Sequence, residues 1–201
     1  MVNQKQKIIK NRGSDVILID LEGCNCPVRA LIGRASKQFN NMLSLEAHRR
    51  AHFLPNTRVD SGYMIYDVNL DKYYICISTY KELIVNKVSS IASHMLVCNS
   101  ELTVSREEEV ADDRGRREKT SEVIKDHVKI SLQINSQDLR LYLTGNHPDS
   151  EFIAFAQDFD VKLLDKIVVN NGLQALTLRL MSFDRISYPG LVLLYLSSET
   201  R

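Results

Sequence analysis

Residues 59–78 read VDSGYMIYDVNLDKYYICIS, and this stretch decides the fold. Two apolar, tyrosine-rich runs, GYMIYDV and KYYICIS, flank the polar turn NLDK, with Gly62 at the entrance. Short runs of aromatic and β-branched residues around a polar turn form the pattern of a β-hairpin. Both runs carry apolar side chains at successive positions. Neither strand therefore has a clean polar face, and both faces are expected to be covered. Tyr63, Tyr66, Tyr73 and Tyr74 are the candidate residues of that contact surface.

The same rhythm extends outward in both directions. VILIDL, PVRALIG, HMLVC and ELTVS are further short apolar runs, so residues 14–105 read as mostly β. Residues 34–53 interrupt the rhythm with helix formers that lead to Pro55, which predicts a helix or a long loop with a helical turn. Residues 106–126 carry 14 charges in 21 positions, a composition with little to bury, and read as a linker or an exposed helix. From His127 the β pattern resumes with HVKISLQI, LRLYLTG, EFIAFAQDF, KLLDKIVV, ALTLRLMSF and GLVLLYLS, and Asn170-Asn171-Gly172 marks a second hairpin turn. The reading predicts an all-β chain with minor α content, built of two small antiparallel β-barrel or sandwich domains. These are residues 1–105, with a loop or helix inserted near 34–53, and residues 127–201, joined by the charged linker 106–126.

Composition narrows the function classes. Twenty-six basic and 25 acidic residues leave a net charge of +1, without the excess expected of a nucleic-acid binder. The longest apolar run, residues 191–196, is far short of the roughly 20 needed to cross a bilayer, and residues 1–13 lack the apolar centre of a secretory signal. A soluble protein made in the cytoplasm, with no membrane partner, is expected. No phosphate-cradling glycine loop or nucleophile-elbow motif occurs, so an enzyme is not expected. Cys24, Cys26, His48 and His52 have the chemistry of a four-ligand zinc site, but their C-x-C spacing is tighter than usual. Placing the cysteines in a turn before Pro27 and the histidines on a solvated face is the preferred reading, with no metal and no cofactor.

VDSGYMIYDVNLDKYYICISTYKE, followed by SSIASHMLVCNSELTVSR, resembles the small β-barrel neck proteins of long-tailed bacteriophages, the head-closure or stopper proteins and their connector relatives. The matching positions are Gly62 before the first strand, the aromatic-rich run Tyr73 to Ile77, and Cys98-Asn99 before the apolar run ELTVS. Tyr63 stands where the family often has an acidic residue, and the second domain makes the chain longer than a minimal stopper. The resemblance implies a virion protein at the head–tail interface, synthesised in the host cytoplasm. It implies a ring, commonly of six subunits, between a portal or adaptor protein and a tail terminator or tail tube. Such a ring retains the packaged double-stranded DNA and offers the tail its docking surface.

Within that frame the four tyrosines become candidates for ring assembly. The acidic run Glu107, Glu108, Glu109, Asp112 and Asp113 becomes a candidate channel lining that repels passing DNA. Two alternatives stay open. One is a tail-completion, tail-terminator or baseplate hub protein; the other is a cellular β-barrel module that binds peptide or nucleic acid.

Overall fold

A computed structural model describes residues 2–35, 47–111, 117–136, 147–172 and 174–198. After helix α1 (Val2–Arg12), the chain forms β1 (Ser14–Ile19), β2 (Asn25–Arg34), β3 (His48–Phe53), β4 (Met64–Asp67), β5 (Lys72–Ile84) and β6 (Lys87–Val97). These six strands close into an antiparallel barrel in the order β1-β2-β3-β6-β5-β4. Strands β7 (Ser100–Ala111), β8 (Arg117–Ile134), β9 (Phe152–Gln157), β10 (Lys166–Asn170), β11 (Ala175–Asp184) and β12 (Leu191–Ser198) close a second, in the order β10-β11-β12-β9-β8-β7.

Period-two alternation fills each interior. Val16 and Leu18 of β1, Ala30 of β2, Ala51 and Phe53 of β3, and Ile65 of β4 point into the first barrel. Ile130, Ala154, Ile167, Leu178 and Leu194 are among the residues that fill the second. At the opening hairpin, Met64 to Asp67 pair with Ile75 to Lys72 around the NLDK turn. Buried Asp67 fixes that turn, because its Oδ1 accepts the backbone N–H groups of Asn69 and Leu70 at 3.0 and 3.3 Å.

Two expectations are corrected. Residues 106–126 are not a linker: 106–111 continue β7 and 117–126 open β8, and the two run antiparallel from Arg106↔Glu122 to Ala111↔Arg117. The barrels are joined instead by Cys98 and Asn99. Asn99 clamps this junction by accepting the Leu132 N–H at 2.8 Å and donating to the Leu132 carbonyl at 2.9 Å. The helix or long loop with a helical turn expected over 34–53 does not extend over residues 48–53, which are strand β3; residues 36–46 lie outside the described residues. The expected strand at 139–145 also lies outside them.

A third apolar cluster lies between the barrels. Met64, Ile75 and Leu96 from the first pack against Ile153, Phe155 and Leu193 of the second. Strands β4, β5 and β6 thus bury one face in their own barrel and part of the other against the second barrel. This explains why the hairpin runs have no polar face.

Candidate functional site

The seam between the barrels depends on a close backbone approach. Gly62, at φ +86°, and Gly190, at φ +75°, meet so tightly that a Cβ on Gly62 would lie 2.3 Å from the Gly190 carbonyl oxygen. Only glycine satisfies both the positive φ and the contact. Beside them the Gln157 amide donates to the carbonyls of Asp20 and Gly62 at 2.9 and 3.1 Å, tying β9 to two loops of the first barrel. The barrels consequently form a single stiff unit rather than beads on a tether.

A polar cluster lies on the outer side of the first barrel, against α1. Glu82 pairs with Lys5, with Arg50 Nη2 at 2.7 Å, and with His52, whose Nδ1 is 3.2 Å from Oε2. Ser90 donates its hydroxyl to Glu82 Oε2 at 2.6 Å. Burial pushes the Glu82 carboxyl up, but the Lys5 ammonium, the Ser90 hydroxyl and His52 outweigh it and hold the group at about 2. Burial lowers His52, reinforced by Lys5. This is an anchor for α1 rather than a nucleophile–base pair: the fully buried Ser90 gives its proton to the carboxylate, not to His52.

Two hairpins run past their barrels. In the first, β5 and β6 continue to pair from Glu82↔Ser90 to Ile84↔Lys87, after β6 has left β3 at Ile91↔Phe53. In the second, β7 leaves β10 at Ser105↔Lys166 and pairs onward with β8 alone. The six residue pairs from Arg106 to Ala111 make a ribbon of roughly 20 Å.

The structure separates the sequence candidates. Tyr74 is 2% exposed in the first core and so offers no contact surface, while half-buried Tyr63 packs against that core. Tyr66 and Tyr73 lie on the outer face, stacked at 4.6 Å, with the Lys129 ammonium 5.0 Å from the Tyr73 ring centre. Tyr73 also lines the seam, so this pair already serves the chain's own second barrel. The proposed metal ligands do not converge. Cys26 pairs with Leu18, whereas His52 is opposite Leu31, five residues further along β2 and so roughly 16 Å away. His48 and His52 belong to a strand, not a helix, and no group of three or more metal-binding side chains occurs among the described residues. Glu107, Glu108 and Glu109 lie in the ribbon strand β7, while Asp112 and Asp113 lie outside the described residues.

Burial raises the thiols of Cys76 and Cys98 to about 12, which leaves both protonated and unreactive. Sequence reasoning missed α1, the β5–β6 extension and the anchor around Glu82. The only local signal for the extension was the alternation in KELIVNKV, which lacks a glycine at its turn. No protein-family profile, curated protein or solved structure matches this chain.

Proposed function

We propose that the chain is a structural subunit of a phage neck, a ring-forming head–tail connector of the head-closure kind that retains packaged DNA and presents the tail docking surface. The observation that carries this reading is a stiff pair of closed barrels with two hairpins projecting from it. Closed barrels have no free strand edges, so projecting hairpins are the elements left for engaging neighbours. A two-stranded ribbon is only marginally stable alone in water, and contact with an adjacent subunit supports it. The clamped seam fixes the distance between the ends of the molecule, as suits a part seated between portal or adaptor on one side and tail terminator or tail tube on the other. Glu107 to Glu109 place negative charge on the ribbon, which would keep duplex DNA from adhering wherever the ribbon borders the channel.

Gold-labelled antibody against the chain, applied to particles of the phage whose genome carries the gene, tests the reading. Label at the head–tail junction is the expected result, together with loss of packaged DNA from particles that lack the chain. Intact, infectious particles without the chain would overturn it.

A further inference from the structure

Two exposed apolar features of the first barrel lie on opposite sides of it. One is the tip of the β5–β6 finger, where Leu83 and Val85 are 62% and 90% exposed. Ile84 pairs with Lys87, so Val85 and Asn86 form a two-residue turn, with φ +50° and +59°. Positive φ at both central residues defines a type I′ turn, for which Asn-Gly is the favoured pair. A β-branched valine suits it poorly, because its branched Cβ crowds the backbone at positive φ. Val85 therefore bears a conformational penalty while its apolar side chain stands in water. Strain of this kind persists where a site has a use for it.

The other feature is a shallow groove of about 370 Å³ on the outer side of β1 and β2, lined by Asp15, Ile17, Pro27, Arg29 and Val68. Ile17 and Pro27 are paired across the two strands, and Val68 is 49% exposed. Around the closed order β1-β2-β3-β6-β5-β4, the β5–β6 seam is diametrically opposite the β1–β2 seam. A knob and a socket on opposite sides are what a head-to-tail contact needs, whereas a two-fold dimer would use one self-complementary face. The tip is basic, whereas the groove edge is mixed, with Arg29 beside Asp15. Exposed Lys81 and Lys87 flank the tip, exposed Asp15 borders the groove, and exposed Asp71 lies in the turn that begins at Val68. Asp15 holds Arg29 at 3.1 Å, and Asp71 accepts the Tyr66 hydroxyl at 2.9 Å, so both carboxylates are positioned by their neighbours.

We infer that the β5–β6 finger of one copy seats Leu83 and Val85 in the β1–β2 groove of the next copy. Lys81 and Lys87 come to lie beside Asp71 and the Asp15–Arg29 pair at the edge of that groove. The inference rests on the ring reading for the closure of the assembly, while the contact itself belongs to the purified chain. Sedimentation velocity over a concentration series into the high micromolar range should show the full chain associating. Val85→Asp, with an intact groove, and Val68→Asp, with an intact finger, should each associate about tenfold more weakly or worse, the scale expected for exposing one buried valine.

Mixed in equal amounts, the two variants should form a heterodimer and stop there, since one working finger meets one working groove. Val85→Gly relieves the turn; it should melt no lower than the parent and still lose association, which separates contact from folding. A parent chain that stays monomeric throughout, a Val85→Asp variant that associates like the parent, or a mixture that remains monomeric would each overturn the contact. An associating chain absent from the phage neck would sink the neck reading and leave the contact standing.

Discussion

Glu82 holds three cationic or titratable partners from two elements: Lys5 of α1, and Arg50 and His52 of β3. Glu82→Gln removes the charge and leaves Lys5 and Arg50 half-buried without it, so stability should fall by about 1–3 kcal/mol in urea unfolding. The N-terminal helix should become the first site of proteolysis. The pH dependence has a definite sign. The folded-state carboxyl titrates at about 2 against an ordinary 4.5, so the unfolded chain takes up the proton first on acidification. Its contribution is complete above 4.5 and is lost between there and about 2. His48, His52 and His94 are each lowered from 6.5 with burial as the main cause, and they add a loss of the same sign that begins as pH falls below 6.5. Two stages of acid destabilisation are expected in urea midpoints, and Glu82→Gln should shrink the lower one while the upper one remains. A profile flat across both ranges would contradict the anchor. None of this was legible in the sequence, because Lys5 and Glu82 are 77 residues apart and no local spacing links them. By contrast, the opposite fates of Tyr73 and Tyr74 follow from strand alternation alone.

Among the elements, strands with a buried face were readable and strands without one were not. β1, β4, β9 and β12 match apolar runs in the sequence because burial selects apolar residues at those positions. The ribbon failed because β7 and β8 pair there with each other alone, and the charge-rich composition of residues 106–126 resembles a linker. The same fact yields a prediction. Replacing residues 108–120 by Asn-Gly keeps Glu107 opposite Ser121 and supplies a favoured two-residue turn. Since residues 108–111 ladder only with residues 117–120 among the described residues, the urea midpoint should shift by less than about 1 kcal/mol equivalent, whereas incorporation into particles should be lost. A large drop in stability would mean that the ribbon braces its own barrel.

At the scale of the whole molecule, the question is whether two barrels make two folding units or one. Separate closed barrels joined by Cys98 and Asn99 would suggest two, but the seam argues for one. Phe155 is 2% exposed there, Leu193 and Tyr195 are fully buried, and Gly62 and Gly190 touch through their backbones. Each barrel alone would expose this apolar face, so unfolding one removes the cover of the other. Calorimetry of the full chain should show a single transition whose van't Hoff and calorimetric enthalpies agree. Phe155→Ala should cost about 3–5 kcal/mol, as truncating a buried aromatic does. Gly62→Ala should act at the same place by a different cause, since its new Cβ meets the Gly190 carbonyl at 2.3 Å and its φ of +86° is unsuited to alanine. If the seam is what couples the barrels, either variant should lower and split the transition, because one barrel can then melt while the other holds. Two well-separated transitions in the parent chain would show that the barrels fold independently and that the seam only rests one on the other.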